Sequence, residues 1–181
     1  MTKHIFIFLL IYFVGFDASA NNAINYRRFF DDSVQVGIPE NFEPMPEAEA
    51  IQRFPDQVNR PKHIFMSPDG LATISLNMAA NYGDRQTIIH FFRDIKNDIR
   101  ANYPDSRFLK TDVIRNRSLA LVEYTASNPS GDVLYNMMAF RYVGDNFFFF
   151  NFTCPEKEME KYQQTAREIA QDIELVGKKG Y

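Results

Sequence analysis

The chain has 181 residues, a formal net charge of −3 and a single cysteine, Cys154. Its lysines and arginines are scattered without a basic run, so the charge pattern argues against nucleic acid as a partner. A single cysteine excludes an intramolecular disulfide, and the core must therefore hold the fold without a covalent cross-link.

The first twenty residues have the pattern of a secretory signal peptide. A charged start precedes an apolar run over residues 5–16, and small residues follow at Ala18 and Ala20. The run is shorter than the roughly 20 residues that a membrane-spanning helix needs, and the A-x-A pattern is what a signal peptidase cuts. An uncleaved anchor is the alternative. We predict a signal peptide over 1–20 and one exported domain over 21–181, with no stable membrane anchor after cleavage.

The first half of this domain contains two predicted hairpins and a short helix. Residues 29–38 indicate a hairpin with an Asp-Asp turn, and residues 46–55 indicate a helix of about two turns between prolines. Strands are predicted over 62–66 and 71–78, on either side of a Pro-Asp-Gly turn. In the second strand apolar residues alternate with Thr, Ser and Asn, which predicts one buried face.

The second half begins with a long amphipathic helix. Apolar residues at spacings of three and four predict this helix over 83–103, with Gly-Asp as its cap. Strands follow over 107–115, 118–126 and 132–143, and the turns between them are short, so consecutive strands run antiparallel. A last helix with a narrow apolar stripe is predicted from Pro155 onward.

The strand before this last helix is the most informative stretch of the chain. In residues 146–153, five of eight residues are phenylalanine and none is charged. Successive side chains of a strand point to opposite faces, so three rings cover one face and two cover the other. The two sets are Phe148, Phe150 and Phe152, and Phe147 and Phe149. Both faces need a cover, and we predict an α+β fold: an antiparallel sheet of about six to seven strands with helices on both faces.

Several short motifs, in this order, resemble the PsbP/DcrB-like superfamily. They are a V-x-V-x-I-P strand over 34–39, central Asp-Gly and Asn-Arg hairpins, and F-x-C-P-E over 152–156. The similarity covers essentially all of 21–181. It implies an α-β-α sandwich and a family made up mostly of binders: a lumenal photosystem subunit, an envelope protein needed for phage uptake, chaperones for secreted effectors and many exported bacterial proteins of unknown role. It transfers no site residue to this chain.

The residues themselves show no catalytic, phosphate-binding or zinc motif, and we expect no catalytic residue, cofactor or metal site. Cys154 is a candidate reactive thiol, because it directly precedes a predicted helix whose N-terminus can lower a thiol pKa. A small, half-buried residue at a strand end is the alternative. A nucleophile pair with this thiol would need His63 or His90, and His90 falls on the polar side of its helix.

These observations predict an exported, non-enzymatic protein-interaction module of the bacterial envelope or periplasm, with another envelope or secreted protein as its partner. The loops over 81–83 and 128–131 are where we expect contacts, since binding residues often lie on loops of a rigid scaffold. The alternative is a carrier of an apolar small molecule or lipid, with methionines and phenylalanines around a pocket. The methionines concerned are Met66, Met78, Met137 and Met138.

Overall fold

The computed structural model describes residues 23–79 and 88–177. The predicted signal peptide with Ala18 and Ala20, and the predicted loop over 81–83 with the cap of the long helix, lie outside these ranges. These features therefore remain predictions.

Ten strands and three helices follow one another in the described residues. The strands are β1 (Ile24–Phe29), β2 (Val34–Pro39), β3 (Glu43–Pro44), β4 (His63–Met66), β5 (Thr73–Ala79), β6 (Arg107–Ile114), β7 (Leu119–Ser127), β8 (Val133–Val143), β9 (Asn146–Pro155) and β10 (Glu174–Leu175). The helices are α1 (Glu47–Arg53), α2 (Ile88–Asn102) and α3 (Met159–Gln171).

Seven of these strands form one large sheet in the order β3-β4-β5-β9-β8-β7-β6, and each neighbouring pair is antiparallel. The phenylalanine-rich strand is β9, which occupies the centre. This confirms the α+β class and the predicted number of strands. Short turns dictate the antiparallel order of β6 to β9, since each strand returns directly along the previous one.

The rings of β9 divide between two hydrophobic clusters on opposite faces of the sheet. Phe148, Phe150 and Phe152 are fully buried in one cluster, beside α3. Phe147 is fully buried in the other cluster and Phe149 packs against it, beside α2. The predicted division of the rings is therefore confirmed.

The first face is covered by α3 together with a second, smaller sheet. The predicted first hairpin forms β1 and β2, which leave the large sheet and pair with β10 in the order β1-β2-β10. Phe30 of this hairpin packs edge-on against Phe148 at a centroid distance of 5.8 Å. A Cβ on Gly37 of β2 would come 2.5 Å from the Cγ2 of Ile24, so the close packing of this hairpin requires a glycine there.

Two predicted helix boundaries were wrong. Pro46 stands just before α1 instead of at its first position, because its extended ψ of 140° precedes the helix. The last helix begins at Met159 after a single 3-10 turn over Glu156–Glu158, and it ends at Gln171. The helix ends at this point because β10 pairs with β2 directly after it.

A buried ion pair fixes α3 over β7. Glu123 of β7 is 1% exposed, and its carboxylate accepts hydrogen bonds from Nε and Nη2 of Arg167 at 2.8 and 2.6 Å. Gln163 donates a third hydrogen bond to this carboxylate at 2.6 Å. The interactions compensate the cost of removing the charge from water and fix the position of the helix along the strand.

Two helices cover the second face, and they leave part of it uncovered between them. Ile88 and Ile99 of α2 pack over β7, β8 and the Phe147 end of β9. Met45 and Ala50, just before and within α1, pack against Ile64 at the other side of the sheet. Part of the second face between these helices remains polar.

No helix in the described ranges has the length and apolar character needed to cross a membrane.

Two substitutions test the position of the core, and we expect one to unfold the domain and the other to leave its stability almost unchanged. Phe150→Asp places a charge without a partner where exposure is 0%, against a total stability of only about 5–15 kcal/mol, and should unfold the domain. Asp94→Ala removes an exposed carboxylate on α2 and should change the free energy of unfolding by less than about 0.5 kcal/mol. Thermal denaturation followed by circular dichroism measures both, and equal melting temperatures would contradict this core.

Candidate functional site

An open groove of about 1060 Å³ lies on the second face of the large sheet. One wall is α1, and the rims are the β4–β5 turn and the loop between β7 and β8. We call it the α1 groove. Its floor is formed by the ends of strands β5, β8 and β9, beside the region that α2 covers.

The floor of the groove is a strip of neutral polar side chains on an otherwise apolar face. We call it the polar strip: Thr73, Ser75, Asn151 and Thr153 line the groove, and Asn136 adjoins them on β8, opposite Thr153. The register of the sheet brings them together: Thr153 lies opposite both Thr73 and Asn136, and Asn151 lies opposite Ser75. The side chains on this face of β9 thus change from phenylalanine to asparagine and threonine where the groove begins.

Hydrogen bonds connect three members of the polar strip. The amide Nδ2 of Asn151 donates to Oγ1 of Thr153 at 2.9 Å, and this hydroxyl donates to Oδ1 of Asn136 at 3.0 Å. Within the described residues, the buried Oδ1 of Asn151 has no hydrogen-bond partner. A buried acceptor without a partner costs free energy, so Oδ1 of Asn151 makes an unfavourable contribution to the stability of the fold.

The wall and the first rim of the groove are tied to each other. Arg53 of α1 forms an ion pair with Glu49 at 2.6 Å, and both of its terminal nitrogens lie 3.3 Å from the carbonyl oxygen of Gly70. Gly70 belongs to the β4–β5 turn. The helix and the turn therefore hold a fixed width between them.

The β4–β5 turn is fixed in its own right by Asp69. Its carboxylate accepts hydrogen bonds from Oγ of Ser67 at 2.5 Å, from the N–H of Leu71 at 3.1 Å and from Nζ of Lys161 at 3.0 Å. The hydrogen bond from Ser67, followed by those from Leu71 and Lys161, holds the pKa of Asp69 well below its usual range. The ionised carboxylate thus orders the turn through Ser67 and Leu71 and links it to α3 by a partly exposed ion pair with Lys161.

The second rim is the loop over 128–131, which the sequence analysis selected as a contact region. Oδ1 of Asn128 accepts hydrogen bonds from the N–H groups of Ser130 and Asp132, both at 2.9 Å. Gly131 has a φ of 88°, which glycine adopts without strain. The loop is therefore exposed but conformationally defined, as a binding loop on a rigid scaffold should be. The structure does not describe the other selected loop, 81–83.

Cys154 lies at the end of β9, but its environment is not that of a reactive thiol. The side chain is 1% exposed and belongs to the cluster beside α3. Burial, with a smaller contribution from Glu158, raises its pKa to about 12. The 3-10 turn separates Cys154 from the first residue of α3, Met159, so the helix does not begin at the thiol. The surroundings therefore support a structural residue, more deeply buried than the alternative interpretation had it.

The two histidines of the described residues do not form a catalytic pair with Cys154. The ring of His63 packs between Phe29 and Phe30, at centroid distances of 5.0 and 5.2 Å, and burial lowers its pKa. His90 is exposed on α2. Over the ranges that the structure describes, no three histidine, cysteine or acidic side chains gather as metal ligands.

The methionines named for a carrier pocket pack in the core instead. Met137 is 2% exposed in the cluster beside α3, and Met78 packs against that cluster. Met138 packs against the cluster beside α2, and Met66 packs against the small cluster beneath α1. These side chains fill space between strands and helices.

The polar strip is not among the sites predicted from the sequence, although part of its signal is visible there. The alternation of Thr and Ser in β5 predicts one buried face, but β9 is predicted to be apolar on both faces. The change from Phe149 to Asn151 and Thr153 was the indication that one face loses its cover partway along the strand. Assigning Asn136 to the same strip required the strand register.

Neither the family models nor the curated proteins include a match to this sequence. The structure resembles several solved structures, all at low sequence identity. Cyanobacterial PsbP (CyanoP) from Synechocystis has a TM-score of 0.55 and 8% identity, with 86% of this chain and 94% of that chain covered. LpqN of Mycobacterium tuberculosis, which is involved in cell envelope biogenesis, has a TM-score of 0.55 and 11% identity, with 86% and 91% covered.

The Ran-binding protein Mog1p of Saccharomyces cerevisiae has the same arrangement, with a TM-score of 0.53 and 10% identity over 85% of this chain and 96% of that chain. The resemblance to the PsbP-like superfamily is thus confirmed as a likeness of fold. At these identities the likeness carries no site residue.

The buried position of Cys154 makes a measurable prediction about its reactivity. A pKa near 12 instead of 9.0 lowers the thiolate fraction roughly a thousandfold, and burial adds a steric barrier. A thiol reagent such as 5,5′-dithiobis(2-nitrobenzoate) should therefore react only slowly with the native protein at about pH 8, and rapidly after denaturation in guanidinium. Rapid labelling of the native protein would show that the thiol is reactive after all.

Proposed function

We propose that this protein is an exported, non-enzymatic module of the bacterial envelope or periplasm that binds another protein through the α1 groove. The observation that carries the proposal is the polar strip, a set of uncharged donors and acceptors between two helices on an otherwise apolar sheet face. A fold selected for stability alone would fill this position with apolar residues and extend a helix over it.

The chemistry of the groove suits an extended segment of a partner protein. Main-chain N–H and C=O groups are neutral, and the hydroxyls of Thr73, Ser75 and Thr153 and the amide of Asn151 line the groove with donors and acceptors. Leu71 and Leu134 lie beside these groups in the lining and provide apolar contact. Such a mixture of apolar surface and few polar groups is typical of recognition sites.

The groove lacks the arrangement that turnover would require. Its charged side chains Glu49 and Arg53 form an ion pair at 2.6 Å, and the described residues that line it include no histidine. Cys154 belongs to β9, which borders the groove, but its thiol is buried in the cluster on the other face of the sheet. These features favour binding without catalysis.

The likeness of fold supports a binding role without assigning one. Mog1p is described as a Ran-binding protein, and LpqN as involved in cell envelope biogenesis. The signal-peptide pattern over 1–20 places the proposed role outside the cytoplasm. The carrier alternative has less support, because the methionines on which it rested pack in the core and the floor of the groove is polar.

Site-specific cross-linking in the native host tests this proposal. A photoreactive amino acid is introduced at Gln52 on α1 or at Ser130 on the second rim, both exposed residues that line the groove. Asp94 on the outer side of α2 serves as the matched exposed control. Both groove positions should form an adduct with the same protein, identified by mass spectrometry, whereas the control should not.

Equal adducts from all three positions, or none from the groove, would contradict a protein site in the α1 groove. Recovery of the exported protein loaded only with lipid would favour the carrier instead.

A further inference from the structure

The strand β6 forms one end of the large sheet and offers a long outer edge. Among the strands of the described residues, its one neighbour is β7, and no described strand pairs with its other edge. Four consecutive residues over 109–112 are exposed, and Leu109 has 37% of its surface accessible. The strand has eight residues, whereas β3 at the opposite end has two. An exposed edge of this length is a template on which a further strand can pair.

Two features of β6 exclude strands of arbitrary sequence. The register against β7 shifts between Phe108 and Lys110, a bulge that interrupts regular pairing, and Lys110 presents a charge on the edge. Both are devices by which proteins block edge-to-edge association. Asp112 lies two residues further on and shares a face with Lys110, since they pair with Glu123 and Leu121 of β7. The edge therefore carries one charge of each sign on the same face.

We propose that β6 pairs antiparallel with β6 of a second copy of this chain, about a two-fold axis at Thr111. In this register Lys110 of each copy lies opposite Asp112 of the other, so symmetry forms the ion pair twice. Regular pairing ends at the bulge, so the proposed pairing is short and is centred on these three residues. The edge is complementary to itself.

The proposed register is distinguished from its neighbours by charge. Residues that face each other across antiparallel strands must lie on the same face, so a symmetric register is centred on a residue. Centring the axis on Lys110 would place two lysines directly opposite, and centring it on Asp112 would place two aspartates opposite. Both arrangements are destabilising. The axis at Thr111 avoids both of these clashes.

The geometry of this dimer has a consequence for the α1 groove. The two-fold axis stands perpendicular to the joined sheet, so corresponding faces of both copies point to the same side. The two α1 grooves, which lie beyond β8 in each copy, remain uncovered and face the same direction. A partner with two binding segments would engage both, and its apparent affinity would rise through effective concentration. The dimer itself does not depend on what the groove binds.

Charge reversal tests the dimer, with sedimentation velocity of the mature chain over a range of concentrations as the measurement. Lys110→Glu or Asp112→Lys alone turns both ion pairs into like-charge pairs and should raise the dissociation constant of the dimer by roughly tenfold or more. The double variant Lys110→Glu/Asp112→Lys restores both attractions and should associate like the wild type. High salt should weaken wild-type association, because exposed charges are screened.

An equimolar mixture of the two single variants provides the sharpest result. Each variant repels itself, but the two together form both ion pairs, so the mixture should contain heterodimers at concentrations where each variant alone is mainly monomeric. Lys110 and Asp112 are exposed in each copy, so the substitutions should leave the fold unchanged, and circular dichroism checks this. A wild type that stays monomeric at high concentration, or a dimer insensitive to both reversals, would overturn the proposal.

Discussion

The structure depends on the burial of one strand from both sides. The rings of β9 occupy both faces of the large sheet at its centre, and four of the five are fully buried. No single helix can cover two faces, so the chain must provide two separate covers. On one face these are α3 and the hairpin of β1 and β2, and on the other face they are α2 and, further along the sheet, α1. The positions of the other elements follow from this requirement.

The α1 groove lies where the side chains of β9 no longer need an apolar cover. On the second face of β9, Phe147 and Phe149 need a cover, whereas Asn151 and Thr153 do not, and α2 packs only over the first pair. The polar strip continues across β5 and β8 through Ser75 and Asn136. The same strand thus forms the core with one half and the floor of an open groove with the other. Rigid rims on both sides keep this surface in a defined shape, because each turn satisfies its own hydrogen bonds.

Much of this architecture could be predicted from local patterns in the sequence. The division of the rings of β9, the amphipathic stripe of α2 and the short turns from β6 to β9 depend only on residue spacing. The small sheet could not be predicted, because the alternation over 34–38 is the same in either sheet and β10 has only two residues. The groove was missed for a related reason: Thr73, Asn136 and Thr153 are distant in sequence, and only the strand register brings them together.

The polar strip is proposed to serve binding and not the fold. The variant Asn151→Val tests this most directly, with melting temperature and cross-linking from Ser130 measured together. Valine suits a strand, and the change removes the buried acceptor that has no partner among the described residues. It leaves the hydrogen bond from Thr153 to Asn136 in place. We expect a melting temperature at least equal to that of the wild type and a weaker cross-linked adduct. A decrease of more than about 4 °C, which corresponds to about 1 kcal/mol, or an unchanged adduct, would contradict the proposal.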